Sequence, residues 1–183
     1  NAYAHTVRYS TIAGINYCQI GTNNNKPCNT TLPDPTQIDA PISDQNVLDW
    51  KNEAVAGETY LGNYTVDNTS ASLGPTKIVG NLTVNNNAIL TVTGTLWVTG
   101  NMTVSNNAVV NLSSSYETSE GVIVVDGITN INNNASFNGS GSSGSYLMVL
   151  STSNFTSPPA ITLENNGGAV ILSAQNGKVS LSN

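Results

Sequence analysis

The chain has 183 residues, enough for one domain with a substantial core. Charged residues make up only 9 %, against about 25 % in ordinary soluble proteins, and Asn, Ser, Thr and Gly replace them. The net charge of −6 leaves no basic patch for a phosphate backbone, so we expect no nucleic-acid partner. The sequence has no run of about 18 apolar residues, so we expect no membrane span in it.

Residues 1–31 alternate irregularly and predict incomplete coils that carry a cysteine loop. Cys18 and Cys28 enclose QIGTNNNKP, a stretch rich in turn formers. In an exported protein this pair is expected to form a disulfide, and two free buried thiols are the alternative. The only histidine, His5, has neither an acidic neighbour in the sequence nor metal-ligand spacing around it.

Residues 32–57 combine a proline-rich stretch with one helix signal. Ser43 is a good N-cap, and Val47, Trp50 and Ala54 form an apolar stripe at helical spacing. Gly57 is the expected stop. The pattern predicts one short helix that lies across a side or an end of the domain.

A short sequence recurs in the remaining segment, residues 58–183, and each copy is followed by a pair of asparagines. GNLTV at 80–84 returns as GNMTV at 100–104. The pairs are Asn86-Asn87, Asn106-Asn107, Asn133-Asn134 and Asn165-Asn166. Asparagine tolerates the left-handed backbone of a tight corner, and its amide can bond the equivalent amide one coil away. The pairs therefore predict an asparagine ladder along a stack of coils.

Three families of short strands alternate in this segment. The first alternates polar and apolar residues (NLTV, NMTV, ITNI, AITL, KVSL), the second is apolar throughout (LWV, VIVV, YLMVL, AVIL), and the third follows the asparagine pairs (AILTV, AVVNL, ASF). Three strands per turn and a period of about 20 to 30 residues are typical of a parallel β-solenoid. We therefore predict a single all-β domain of residues 1–183, a parallel β-solenoid or β-helix, with right-handed coils by the usual crossover rule. An antiparallel sandwich is the alternative.

The register of the first strand family predicts which residues face the core. The inward column is Val84, Val104, Ile131, Leu163 and Leu181, and the outward column is Thr83, Thr103, Asn130, Thr162 and Ser180.

The repeats resemble a known group of proteins. SLGPTKIVGNLTVNNNAILTVTGTLWVTGNMTVSNNAVVNL, GVIVVDG, GSYLMVLSTS and GGAVILSAQNGKVSLSN are similar to uncharacterised surface β-solenoid proteins of ultra-small uncultured bacteria of the candidate phyla radiation. PISDQNVLDWKNEAVAG and YCQIGTNNNKPC also look like that family, which often carries a pilin-like N-terminal segment. The resemblance implies an exported, envelope-associated protein and transfers no catalytic residue.

The sequence offers little for catalysis. A polysaccharide lyase needs a basic residue beside acidic ones that hold calcium, and none of the five Lys and Arg residues adjoins an acidic cluster. Glu117 and Glu120 fall in an expected protruding loop, and Asp126 precedes Gly127 as an expected turn residue. We predict no catalytic residue, no metal site and no cofactor.

Nine Asn-x-Ser/Thr sequons occur, at Asn29, Asn63, Asn68, Asn81, Asn101, Asn111, Asn134, Asn138 and Asn154. Asn81 and Asn101 are predicted to face outward and are the expected glycosylation sites in a host that glycosylates asparagine.

The expected function is that of a non-catalytic structural or adhesive protein at the extracellular cell surface. We expect it to self-associate through the solenoid ends, into a filament or pilus-like appendage, and to contact cell-surface glycans. A carbohydrate-binding or polysaccharide-cleaving module and an ice-binding solenoid are the alternatives.

Overall fold

A computed structural model describes residues 1–34, 42–165, 167 and 171–182. It divides into two compact units, Asn1–Pro41 and Ile42–Asn183. The single domain expected from the sequence stays a prediction.

Among its described residues, the first unit contains four very short strands, β1 (Ala2–Tyr3), β2 (Thr6–Arg8), β3 (Asn16–Tyr17) and β4 (Ile20–Thr22). β1 pairs with β3 and β2 pairs with β4, both in parallel. Side-chain amides supply much of the remaining hydrogen bonding. Asn24 accepts from the backbone N–H of Ser10 at 3.0 Å, and Asn25 accepts from that of Ile12 at 2.7 Å. Few apolar side chains of the described residues are buried in this unit, and asparagine side chains satisfy part of its backbone.

The second unit contains helix α1 (Asp44–Ala56), which is followed by strands as far as Leu181 among the described residues. The strands are β5 (Glu58–Leu61), β6 (Tyr64–Asp67), β7 (Ser70–Leu73), β8 (Thr76–Val79), β9 (Leu82–Asn85), β10 (Ile89–Val92), β11 (Leu96–Val98), β12 (Met102–Val104), β13 (Val109–Leu112), β14 (Gly121–Val125), β15 (Thr129–Ile131), β16 (Ser136–Asn138), β17 (Leu147–Ser151), β18 (Ile161–Leu163), β19 (Ile171–Ala174) and β20 (Val179–Leu181). A single 3-10 turn, Ser114–Tyr116, lies between β13 and β14.

These strands form three parallel sheets, which are the three faces of a β-solenoid. The threonine face contains β6, β9, β12, β15, β18 and β20. The second face contains β7, β10, β13 and β16, and the helix face contains β5, β8, β11, β14, β17 and β19. The chain visits the faces in turn, so each strand pairs with the equivalent strand of the next coil. The predicted parallel β-solenoid with three strands per coil and one helix is confirmed.

The strand register also agrees with the prediction. On the threonine face Val84 pairs with Val104, Val104 with Ile131, Ile131 with Leu163, and Leu163 with Leu181. Val84, Val104 and Ile131 are fully buried in the main core. The outward residues of the same strands, from Thr83 to Ser180, pair in the predicted column as well.

The asparagine pairs make the corner between the threonine face and the second face. Asn86 and Asn87 have φ angles of 55° and 61°, both left-handed. The N–H of Ala88 donates to the carbonyl of Asn85 at 3.2 Å, which closes a turn of type I′. The same turn recurs at residues 105–108 and 132–135. Asparagine is selected here because it accepts positive φ at both central positions better than most residues.

Helix α1 starts at the predicted cap. Ser43 accepts from the backbone N–H of Asn46 at 3.2 Å, and Asn46 in return accepts from the N–H of Ser43 at 3.0 Å. The helix ends at Gly57, whose φ of −85° is not left-handed. Glycine is needed there for another reason, since a β-carbon would collide with the backbone of Pro75.

The helix packs on the outer side of the helix face, against β5, β8, β11 and β14. Val47 of the helix, together with the outward residues Val122, Val124, Met148 and Leu150, forms a second apolar cluster. Strands β14 and β17 of this face are therefore buried on both sides. Their sequences are almost entirely apolar because the core lies on one side and the helix on the other.

Candidate functional site

The corner between the threonine face and the second face carries a ladder of side-chain amides on its surface. Asn106 donates its Nδ2 to Oδ1 of Asn86 at 3.1 Å, and Asn133 donates to Oδ1 of Asn106 at 3.0 Å. At the lower end Asn86 donates to the carboxylate of Asp67 at 2.9 Å. The ladder thus runs through four coils and confirms the predicted role of these asparagines.

A second ladder runs beside the first. Asn107 donates to Oδ1 of Asn87 at 3.3 Å, and Asn134 donates to Oδ1 of Asn107 at 3.1 Å. The backbone extends it, since the N–H of Asn134 donates to the carbonyl of Asn165 at 3.1 Å. Asn165 has the corner φ of 51°, whereas Asn166 lies outside the described residues.

A third column of asparagines was not predicted from the sequence. Asn63 accepts from the N–H of Asn81 at 2.9 Å, Asn81 from that of Asn101 at 2.8 Å, and Asn101 from that of Ile128 at 3.0 Å. A β-carbon on Gly100 would collide with Oδ1 of Asn81. The repeated Gly-Asn pair is the signal that indicates such a column, because the glycine makes room for the asparagine of the coil below.

Asn81 and Asn101 are exposed, as the glycosylation prediction requires. Their amide oxygens, however, are taken up by the hydrogen bonds of this column. The two side chains therefore act first as structural links between coils.

The first unit contains the predicted disulfide. Cys18 and Cys28 are bonded, with their Cα atoms 5.0 Å apart. Nearby, Lys26 donates to the carbonyls of Ala13 and Gly14 at 2.7 and 2.6 Å. The cysteine loop is thus held by a covalent bond and by a lysine that caps two backbone oxygens.

An ionic cluster joins the helix to the helix face. Lys51 lies 2.6 Å from Asp126, and the same carboxylate accepts from Trp97 Nε1 at 2.8 Å and from Thr152 Oγ1 at 2.7 Å. The ammonium of Lys77 lies 4.1 Å from the centroid of the Trp97 ring, a cation–π distance. Asp126 lies in the bend after β14, as expected from the sequence, and its carboxylate also links the helix to the sheet.

A second contact between helix and coils affects Tyr116. Thr95 donates its hydroxyl to Glu53 of the helix at 2.8 Å. Burial of the Tyr116 ring raises the pKa of its phenol, and the negative charge of Glu53 raises it further. Tyr116 belongs to the 3-10 turn before Glu117, and the exposed Glu117 and Glu120 lie in the loop that follows, as predicted.

His5 does have an acidic partner in space. Its Nδ1 lies 2.7 Å from a carboxylate oxygen of Asp34, and both side chains are largely exposed. The two residues are 29 positions apart, so no local pattern in the sequence indicates the pair.

The three faces differ in what they offer to a partner. The helix covers much of the helix face, whereas the column Thr65, Thr83, Thr103, Asn130, Thr162 and Ser180 lies along the outside of the threonine face. These side chains are neutral and carry hydroxyl or amide groups. They form a regular hydrogen-bonding surface with a spacing of about 4.8 Å between coils.

Within the described ranges, no helix is long and apolar enough to cross a membrane, and no group of three or more His, Cys, Asp or Glu side chains is placed to hold a metal ion. Comparison with protein-family models, with curated proteins and with solved structures finds no match.

Proposed function

We propose that the chain is a non-catalytic structural and adhesive protein of the extracellular cell surface. The observation that carries the proposal is the pair of amide ladders that link successive coils at Asn86, Asn106 and Asn133 and at Asn87, Asn107 and Asn134. Side-chain bonds along the stacking direction add to the backbone ladders and stiffen the stack. A stiff solenoid suits a scaffold that holds a surface away from a cell.

Two features support export. The Cys18–Cys28 disulfide is of a kind that persists in oxidising compartments. The resemblance to surface β-solenoid proteins of the candidate phyla radiation agrees with an envelope location. Immunogold labelling of thin sections of cells of the source organism tests the location, and gold confined to the cell interior would contradict it.

We further propose that coils of separate molecules associate end to end. Strand β20 is the outermost described strand of the threonine face, and its core-column residues Val179 and Leu181 are 37 % and 68 % exposed. The equivalent residues Leu82 and Val84 are 1 % and 0 % exposed in the middle of the stack. A further coil stacked on β20 would cover these side chains and pair the backbone groups of the edge, and the proposal is that a second molecule can supply that coil.

Negative-stain electron microscopy and sedimentation over a range of protein concentrations test this assembly. We expect filaments whose axial repeat is a multiple of about 4.8 Å. Leu181→Glu should abolish them, because it places a charge in the core column. Ser180→Glu is the matched control, since Ser180 occupies the same strand and faces outward. Short rods at every concentration, or equal assembly of both variants, would contradict the proposal.

A second candidate function is binding of neutral glycans, and the outward column of the threonine face favours it. Thr65, Thr83 and Thr103 are aligned in three consecutive coils and present hydroxyl groups in a row. A glycan array with the purified protein tests it. The double change Thr83→Val and Thr103→Val removes two hydroxyls at nearly constant volume, and Thr91→Val on the second face is the control. Binding that survives the double change would rule out this face.

A further inference from the structure

The sequons fall into two structural classes. In six of them the asparagine amide takes part in a hydrogen bond between coils. These asparagines are Asn63, Asn81, Asn101, Asn111, Asn134 and Asn138. Their side chains lie in columns whose neighbours belong to the coils above and below.

Asn154 belongs to the other class. Asn154, Phe155 and Thr156 are all exposed and lie outside the named strands, in the connection from β17 to β18. The backbone of the connection is held in place, since the N–H of Phe155 donates to Ser153 Oγ at 3.2 Å and its carbonyl accepts from Lys178 at 3.0 Å. Among the described residues the Asn154 side chain makes no hydrogen bond. The ordered connection thus exposes a complete sequon whose asparagine amide has no hydrogen bond to the described residues.

Asn29 and Asn68 differ from Asn154 in one respect each. The amide oxygen of Asn29 already accepts from the N–H and the hydroxyl of Thr31, at 3.0 and 2.6 Å. Asn68 has a left-handed φ of 49° at a corner, and the third residue of its sequon, Ser70, lies in β7. Among the nine sequons, Asn154 is therefore the one whose side chain and backbone are least constrained by the fold.

We propose that Asn154 is an N-glycan acceptor and that the coil sequons, Asn81 and Asn101 included, are closed to glycosylation in the folded chain. The inference rests on the proposed export of the protein. The donor is an oligosaccharide linked to a polyprenyl diphosphate. The amide Nδ2 of Asn154 forms a bond to C1 of the first sugar, the bond from C1 to the diphosphate oxygen breaks with its electron pair, and the proton from Nδ2 passes to a base of the transferase.

The coil sequons are closed for reasons of space and of bonding. Successive coils are about 4.8 Å apart, so a sugar on Asn81 would overlap the sequons at Asn63 and Asn101. The side chain of Asn81 also lies so close to Gly100 that even a β-carbon there would collide with it. To reach a transferase, Asn81 would have to break its bond to the N–H of Asn101 and leave the column.

In vitro glycosylation of the folded, purified chain tests the proposal independently of where the protein resides. The chain is incubated with a single-subunit oligosaccharyltransferase and a lipid-diphosphate oligosaccharide, and occupancy is mapped by peptide mass spectrometry. We expect glycan at Asn154, loss of it in Thr156→Ala, and retention in Thr156→Ser, which keeps the hydroxyl that the sequon requires. The coil sequons should remain unmodified in the same sample.

The reduced and denatured chain is the comparison sample. Its coil sequons should accept glycan, because unfolding releases their side chains. Modification of Asn81 or Asn101 in the folded chain at the rate of Asn154 would overturn the proposal. So would an unmodified Asn154 in a folded chain whose denatured form is modified there. Neither result would bear on self-assembly, which is measured by microscopy.

Discussion

The asparagine ladder can be tested at Asn106, which makes two inter-coil bonds from a left-handed corner. It donates to Asn86 at 3.1 Å and accepts from Asn133 at 3.0 Å, with a φ of 55°. Asn106→Ala removes both bonds, and each exposed bond contributes about 0.5 kcal/mol to stability, the low end of the usual range. The left-handed backbone conformation costs alanine about 1 to 2 kcal/mol more. The expected loss in the free energy of unfolding is therefore about 2 to 3 kcal/mol.

Asn106→Gly separates the two contributions. Glycine loses the same two bonds but adopts positive φ freely, and its extra freedom in the unfolded chain costs about 0.5 to 1 kcal/mol. We expect a loss of about 1.5 to 2 kcal/mol, smaller than that of the alanine variant. Urea unfolding followed by circular dichroism measures both, and Asn52→Ala on the exposed side of the helix is the control. Equal losses in the alanine and glycine variants would refute the backbone argument, and a glycine variant as stable as the parent would refute the ladder.

Three further predictions concern packing, the disulfide and titration. Leu150→Ala, at a fully buried position under the helix, should cost about 2 to 5 kcal/mol in urea unfolding. Thr162→Ala on the threonine face should change stability by less than about 0.5 kcal/mol. Similar losses in the two variants would contradict the burial of β17 on both sides. Replacing Cys18 and Cys28 by Ser opens a loop whose ends are 10 residues apart, which should lower the stability of the first unit by about 2 to 3 kcal/mol. Hydrogen exchange of the amides in this unit should become faster. Unchanged exchange would show that the unit does not need the disulfide. Burial raises the pKa of the Tyr116 phenol, so the contribution of this group to stability is present below the unfolded pKa near 10 and is lost as pH rises through the folded pKa. An absorbance titration should show that this tyrosine ionises at higher pH than exposed tyrosines. Tyr116→Phe should reduce the loss of stability at alkaline pH.

The sequence predicted the coils well because their rules are local. Alternation along NLTV and NMTV fixes which residues face the core, and a pair of asparagines marks a corner wherever φ must be positive at two successive positions. Both signals lie within five residues of the position that they describe. The column of Val84, Val104 and Ile131 could therefore be assigned before the structure was known.

Contacts between distant segments could not be predicted in the same way. Lys51 and Asp126 are 75 residues apart, and nothing in either neighbourhood indicates the other. The side of the solenoid that the helix covers was also left open, although a signal for it existed. Strands that are apolar on both sides, such as Val122 to Val125, require a cover on the outside as well as a core on the inside, and the helix was the only predicted element able to supply one.

The coils tolerate unequal lengths, which has a consequence for how such a chain can vary. Equivalent asparagines are 20 residues apart between two coils and 27 between the next two, yet the ladder continues through both intervals. The added residues lie in the connection from the second face to the helix face, where the loop after β13 is bonded to the loop after β16 through Ser145 and the carbonyl of Ser119. New peptide can therefore be inserted at this edge without shifting a single strand pair. Because the spacing between coils is constant, loops of different length and chemistry can be presented along this edge at fixed positions on the solenoid axis.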